Sequence, residues 1–121
     1  MDRKRVEKLF ILFTRDTDVE KYSALIDIAI LHTKQLLRED ADENDERLNF
    51  YAASCANLDY LNIWASQIRI SQTFAGNIVE IADCTAQVER ADAMTQEYFI
   101  LCASLFKDKK FYFINTGEKI W

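Results

Sequence analysis

A chain of 121 residues, half of them apolar and 29% charged, has the balance of one folded domain and is too short for two comfortable cores. Its net charge of −5 argues against a general nucleic-acid binder, which neutralises phosphates with clustered Lys and Arg, and no apolar run approaches the roughly 18 residues of a membrane span. The charged start Met1-Asp2-Arg3-Lys4-Arg5 leads into no signal core, and Cys55, Cys84 and Cys102 neither pair evenly nor show metal-ligand spacing, so an intracellular chain without a disulfide scaffold is expected.

Proline is absent and glycine occurs only at 76 and 117, so helix should dominate. A first helix is predicted over Arg3 to Phe13, burying Val6, Leu9, Phe10 and Phe13 on one narrow face. Its start, Asp2 to Lys8, carries four basic and two acidic residues, a local +2.

Thr17-Asp18-Val19-Glu20 fits a capping box, which places a second helix from there to about Glu39. Val19, Tyr22, Leu25, Ile26, Ala29, Thr33 and Leu36 form its apolar stripe. The opposite stripe, Glu20, Ala24, Asp27, Leu31, Lys34 and Arg38, is polar except for Leu31, with Ile30 beside it. Two readings of Leu31 stand: it marks a partner surface, or the helix is central and covered nearly all round.

Residues 38 to 47 hold six acids against two bases, a local −4, and read as a solvated turn with Asp42 as the next N-cap. A calcium loop would need oxygen ligands at fixed positions and a glycine at the bend, which this segment lacks. The third helix is predicted from about Glu43 to Ser66, with Leu48, Ala52, Cys55, Leu58 and Ala65 inward and Phe50, Tyr60, Ile63 and Trp64 widening the face. Its small residues at 52 to 56 admit a close neighbour.

From Ser66 the period changes. Ile68 and Ile70 alternate with polar residues, then Phe74-Ala75-Gly76-Asn77 precedes Ile78-Val79-Glu80-Ile81, which reads as a small β-hairpin or extended arm over 67–82 with a turn at Gly76-Asn77. A last helix follows from Asp83 or Thr85 to Phe106, burying Val88, Ala91, Thr95, Phe99, Cys102 and Phe106. Phe111, Tyr112, Phe113 and Ile114, in a tail over 107–121, are too apolar to be idle and should dock on the body or on a neighbour.

The expected fold class is therefore mainly α: a four-helix domain with a small β-hairpin or extended arm between the third and fourth helices. It forms one unit over 1–121, in which 1–14 is a possible docking helix. Candidate interface residues are Leu31, Ile68, Ile70, Phe74, Ile78, Phe111, Tyr112 and Phe113. No nucleophile elbow, phosphate loop, dinucleotide turn or HExxH pattern is present, and the single histidine, His32, reads as structural, so neither enzyme activity nor a cofactor is expected.

Arg47-Leu48 before the Ala-rich helix, Tyr60, Ala65-Ser66, Phe74-Ala75-Gly76-Asn77-Ile78, and Leu105-Phe106-Lys107-Asp108 before Phe111 and Phe113 form a pattern. In it the chain resembles the head-tail connector, or adaptor, family of phages and prophages of Gram-positive bacteria, over about residues 18 to 114. The resemblance implies a noncatalytic ring protein of the virion, assembled in the bacterial cytoplasm, with itself, the portal and tail-completion proteins as partners. It implies no membrane and no sequence-specific nucleic acid. Asn77 departs from the acidic residue that often follows Ala-Gly in that family, and the N-terminal helix lies outside the pattern. Opposite charges at the N-terminus and at 38–47 are expected to meet between neighbouring subunits. The alternative is a cytoplasmic helical interaction or regulatory protein from a mobile element; a small carboxylate hydrolase is a third.

Overall fold

The computed structural model describes the backbone of residues 1–75 and 78–107, and the side chains of 1–68 and 83–107. Four helices follow one another: α1 (Arg3–Thr14), α2 (Ser23–Leu36), α3 (Glu46–Ala75) and α4 (Ile78–Leu101), with a short 3₁₀ turn at Ala103–Leu105. The mainly helical, four-helix expectation holds.

α3 is the spine. Its 30 residues span about 45 Å at 1.5 Å per residue, and each of the other helices packs against it. α1 lies parallel to it, since Arg5 meets Glu46 near one end and Phe10 meets Tyr60 further on. α2 and α4 run antiparallel: Tyr22 packs on Tyr60 and His32 near Tyr51, while the Thr95 hydroxyl reaches the Ser54 carbonyl and the Cys102 thiol reaches that of Arg47.

The small residues of α3 explain this crowding. Ala52, Ala53 and Ala56 are fully buried with Val6, Leu9 and Phe10 of α1 and with Ile26 and Ala29 of α2. A methyl group at these positions lets neighbouring backbones approach, while the larger side chains opposite supply the buried area, worth about 1.5–3 kcal/mol for each fully buried Val, Leu, Ile or Phe. A second core gathers Leu37, Leu48, Tyr51, Phe99, Cys102 and Phe106. There Tyr51, Phe99 and Phe106 form an aromatic triad with centroids 5.2–5.9 Å apart; Phe10, Tyr22 and Tyr60 form another at 4.9–5.9 Å.

The hairpin or arm expected over 67–82 is corrected by the structure. α3 continues through Ala75 and α4 begins at Ile78, so Ile68, Ile70, Phe74 and Ile78 all stand on helices; the Gly76-Asn77 turn falls outside the described residues. Leu61, Ala65 and Ile68 repeat at four and three, which continues the third helix, and isoleucine in a helix costs only tenths of a kcal/mol relative to the best formers. Among the described residues the isolated β-bridge lies elsewhere, between Leu37 and Phe106. Arg38 N–H donates to the Leu105 carbonyl at 2.9 Å, and Lys107 N–H donates to that of Leu36 at 2.7 Å.

Four other helix boundaries also move, and one of them is the end of α2, at Leu36 rather than about Glu39. α2 starts at Ser23, because Asp16 and Asp18 accept the N–H groups of Asp18 and Lys21 and hold 16–22 as turns, so the Thr17 box does not open the helix. α3 starts at Glu46, where the Asp45 carboxylate accepts Arg47 N–H at 3.0 Å; Asp42 instead caps a turn at Asn44. α4 ends at Leu101 rather than at Phe106, and the chain reaches Phe106 through the 3₁₀ turn. α1 matches its expected range to one residue, with Asp2 accepting N–H bonds from Lys4 and Arg5.

Candidate functional site

The polar stripe of α2 carries two apolar side chains in the open. Ile26, Ala29 and Thr33 face the core, which leaves Ile28 and Leu31, one helical turn apart, at 58% and 57% exposure. Of the two readings of Leu31, central coverage is therefore set aside. Ile30 packs partly against the first core.

A second exposed apolar pair, Ile100 (65%) and Leu101 (55%), ends α4. Leu101 borders a groove of about 280 Å³ lined by Glu46, Arg47, Phe50 and Tyr98. Arg47 organises this corner: its guanidinium donates twice to Asp45 and once to the Leu101 carbonyl at 3.0 Å, capping the end of α4. The Arg5 guanidinium sits 5.7 Å from the Phe50 ring centroid and donates to Glu46 at 2.7 Å. Arg3 pairs with Asp27, and the Met1 ammonium donates to the Glu43 carbonyl. Of the charges expected to meet between subunits, Arg5 and Glu46 meet within one chain, because α1 lies alongside the start of α3.

A third feature is an open surface depression of about 230 Å³ between α3 and α4, bordered by Phe13 of α1 and lined also by Asn57, Leu61, Gln87, Arg90, Ala91 and Met94. Among the described residues the buried polar side chains other than Asn57 are satisfied: Thr33 and Ser54 donate to the Ala29 and Tyr51 carbonyls, and Asn49 accepts from Asp2 N–H and donates to Glu46. Asn57, only 4% exposed, keeps its Oδ1 without a hydrogen-bond partner. Sequence reading passed over Asn57; the available signal was an amide on the inward side of the alanine-rich stretch, between Ala56 and Leu58.

The titratable groups have structural causes. Burial pushes the Cys55 thiol up to about 12 and the Cys102 thiol up to about 11, so both stay protonated and behave as small apolar groups. The Asp18 N–H, then the Tyr60 hydroxyl, hold the Asp16 carboxyl below the usual range; burial, then that carboxylate, raises Tyr60. Burial raises Asp59, and His32 opposes the rise. His32 is exposed. Among the described residues no group of three or more His, Cys, Asp or Glu side chains converges as a metal site, and no helix is long and apolar enough to cross a membrane.

Of the interface residues expected from sequence, Leu31 is exposed on α2 and Ile68 is half-buried on α3. Ile70 and Phe74 follow on α3, and Ile78 opens α4. Phe111, Tyr112 and Phe113 lie outside the described residues. The structure thus separates Leu31 from the α3–α4 set, and adds Ile28, Ile100 and Leu101, which sequence reading missed because each stands next to residues of a correctly placed buried stripe. Comparison with family models, with curated proteins and with solved structures yields no match.

Proposed function

We propose that this chain is a noncatalytic virion assembly protein of the head-tail connector kind, a subunit of a ring that joins portal and tail in a phage or prophage particle. It is assembled in the bacterial cytoplasm. The observation that carries the proposal is the pairing of large apolar side chains in the open on two helices, Ile28 and Leu31 on α2 and Ile100 and Leu101 on α4, where α1 and α3 expose single ones, Leu12 and Ile63. A ring needs two unlike patches on each subunit, one to give and one to receive. The residue pattern from Arg47 to Phe113 supports the same reading. Since Arg3 and Arg5 of α1 pair with Asp27 and Glu46 of their own chain, affinity between subunits falls mainly to apolar area; exposed ion pairs give only about 0–1 kcal/mol each.

Light scattering on the purified protein, alone and mixed with a phage portal protein from the same genome, tests the proposal. A ring, or a monomer that joins the portal, is expected, and Leu31→Asp and Ile100→Asp should each reduce assembly while leaving the far-UV circular dichroism unchanged. A stable dimer indifferent to the portal would replace this reading with that of a helical regulatory protein.

A further inference from the structure

We propose that residues 111–114 of the C-terminal tail dock on the exposed face of α2 in their own chain, over Ile28 and Leu31. The last described residues fix where the tail starts and which way it leaves. Arg38 N–H donates to the Leu105 carbonyl at 2.9 Å and Lys107 N–H to the Leu36 carbonyl at 2.7 Å, around the antiparallel bridge between Leu37 and Phe106. Residues 105–107 therefore run opposite to 36–38, and the chain passes Lys107 heading back toward the C-terminal turn of α2. The 3₁₀ turn at Ala103–Leu105 has by then carried it from the end of α4 to the end of α2.

The lengths agree. Leu31 and Ile28 stand five and eight residues before Leu36, about 8 and 12 Å along the helix axis. Phe111 and Ile114 come four and seven residues after Lys107, a reach of up to about 14 and 25 Å for extended chain. The segment can thus span the levels of both side chains, with slack for the path around the helix. Phe111, Tyr112, Phe113 and Ile114 are four consecutive large apolar residues, and Ile28 and Leu31 are the large apolar side chains of α2 that stand more than half exposed. Contact between the two sets removes apolar area from water on both sides. Lys109 and Lys110, just before the segment, fall beside the last turn of α2, where the helix dipole favours cations. The docking does not rest on the ring reading; where a ring forms, a neighbour that uses the α2 pair displaces the tail.

Nuclear Overhauser spectra of the full chain, ¹³C-labelled at its isoleucine and leucine methyls, test the site. Cross-peaks from the Ile28 and Leu31 methyls to the ring protons of Phe111, Tyr112 or Phe113 are expected. They should vanish when a methyl-labelled, otherwise deuterated chain is mixed with unlabelled chain, which leaves only contacts between copies visible. Leu31→Asp, an exposed substitution, should speed amide exchange over 111–114 by roughly tenfold or more with unchanged far-UV circular dichroism. Cross-peaks that persist in the mixture assign this face to the tail of a second copy and overturn the proposal. So do an absence of such cross-peaks, ring contacts to Ile100 or Leu101 in their place, or unprotected exchange over 111–114 in the unaltered chain. Because the contact is read within one chain, its failure leaves ring formation to light scattering, and a chain that ignores the portal leaves the contact standing.

Discussion

Arg15 ends α1 at φ 61°, ψ 16°, a left-handed conformation, while its N–H donates to the Ile11 carbonyl at 2.7 Å. A side chain with a Cβ is disfavoured there by about 1–2 kcal/mol, and glycine is the usual occupant of this cap. Arg15 is exposed and in no ion pair among the described residues, so Arg15→Gly should stabilise the protein by about 0.5–1 kcal/mol once the entropy of the unfolded glycine is counted. Urea unfolding with an unchanged m-value checks it. The next residue explains why the chain tolerates the strain: Asp16 accepts from Asp18 N–H at 3.0 Å and from the Tyr60 hydroxyl at 3.2 Å, pinning the α1–α2 turn onto α3. Neither role was legible in the sequence. Arg15 has no local signal for positive φ, and the Asp16–Tyr60 contact joins residues brought together only by the parallel packing of α1 and α3. The N-cap at Asp2 was missed as a cap, although the helix it opens was correctly placed from Val6, Leu9, Phe10 and Phe13.

At the scale of elements, helix existence was readable and β-structure was not. The four apolar stripes follow the 3.6 period over long stretches, and Val6, Phe10, Leu48 and Ala52, assigned inward in α1 and α3, are buried, whereas Ile63, assigned to the same face of α3, is 46% exposed. The error came where a period of two over Ile68 to Ile70 outweighed a period of 3.6 over Leu61, Ala65 and Ile68. Short apolar runs fit both. The Leu37–Phe106 bridge, by contrast, joins two single extended residues after α2 and after the 3₁₀ turn, and no repeat announces it. Phe106 is 2% exposed and its ring meets Tyr51 and Phe99. Phe106→Ala should therefore cost about 3–5 kcal/mol, by the transfer and cavity terms together. Chemical denaturation measures this; a loss below about 1 kcal/mol would mean that the second core does not depend on the closing bridge.

Across the whole molecule, a common sign links the shifted surface carboxyls. Hydrogen bonds hold Asp16, Asp40, Asp45 and Glu46 below their ordinary pKa values, from Asp18 N–H for the first and from Arg38, Arg47 and Arg5 for the others. A carboxyl with a lowered folded pKa adds stability that is complete above its unfolded pKa and disappears as pH falls through the folded one. Asp59, raised by burial, works the other way. Four groups against one predict that thermal stability is level near neutrality and declines below about pH 4, which calorimetry across that range should show; a midpoint that rises on acidification would assign control to Asp59. The proposed ring function was readable only as a residue pattern, since the exposed pairs of α2 and α4 depend on how each helix is turned against α3. That dependence also has a consequence for synthesis. α1 and α2 make their main contacts with α3 and only few with each other, the Phe10–Tyr22 ring contact among them, so until α3 is synthesised Val6, Leu9, Phe10 and Ile26 have little surface to close upon. Their burial is completed when Ala52, Ala53 and Ala56 arrive, so a chain halted before its third helix would leave this apolar face open to premature association.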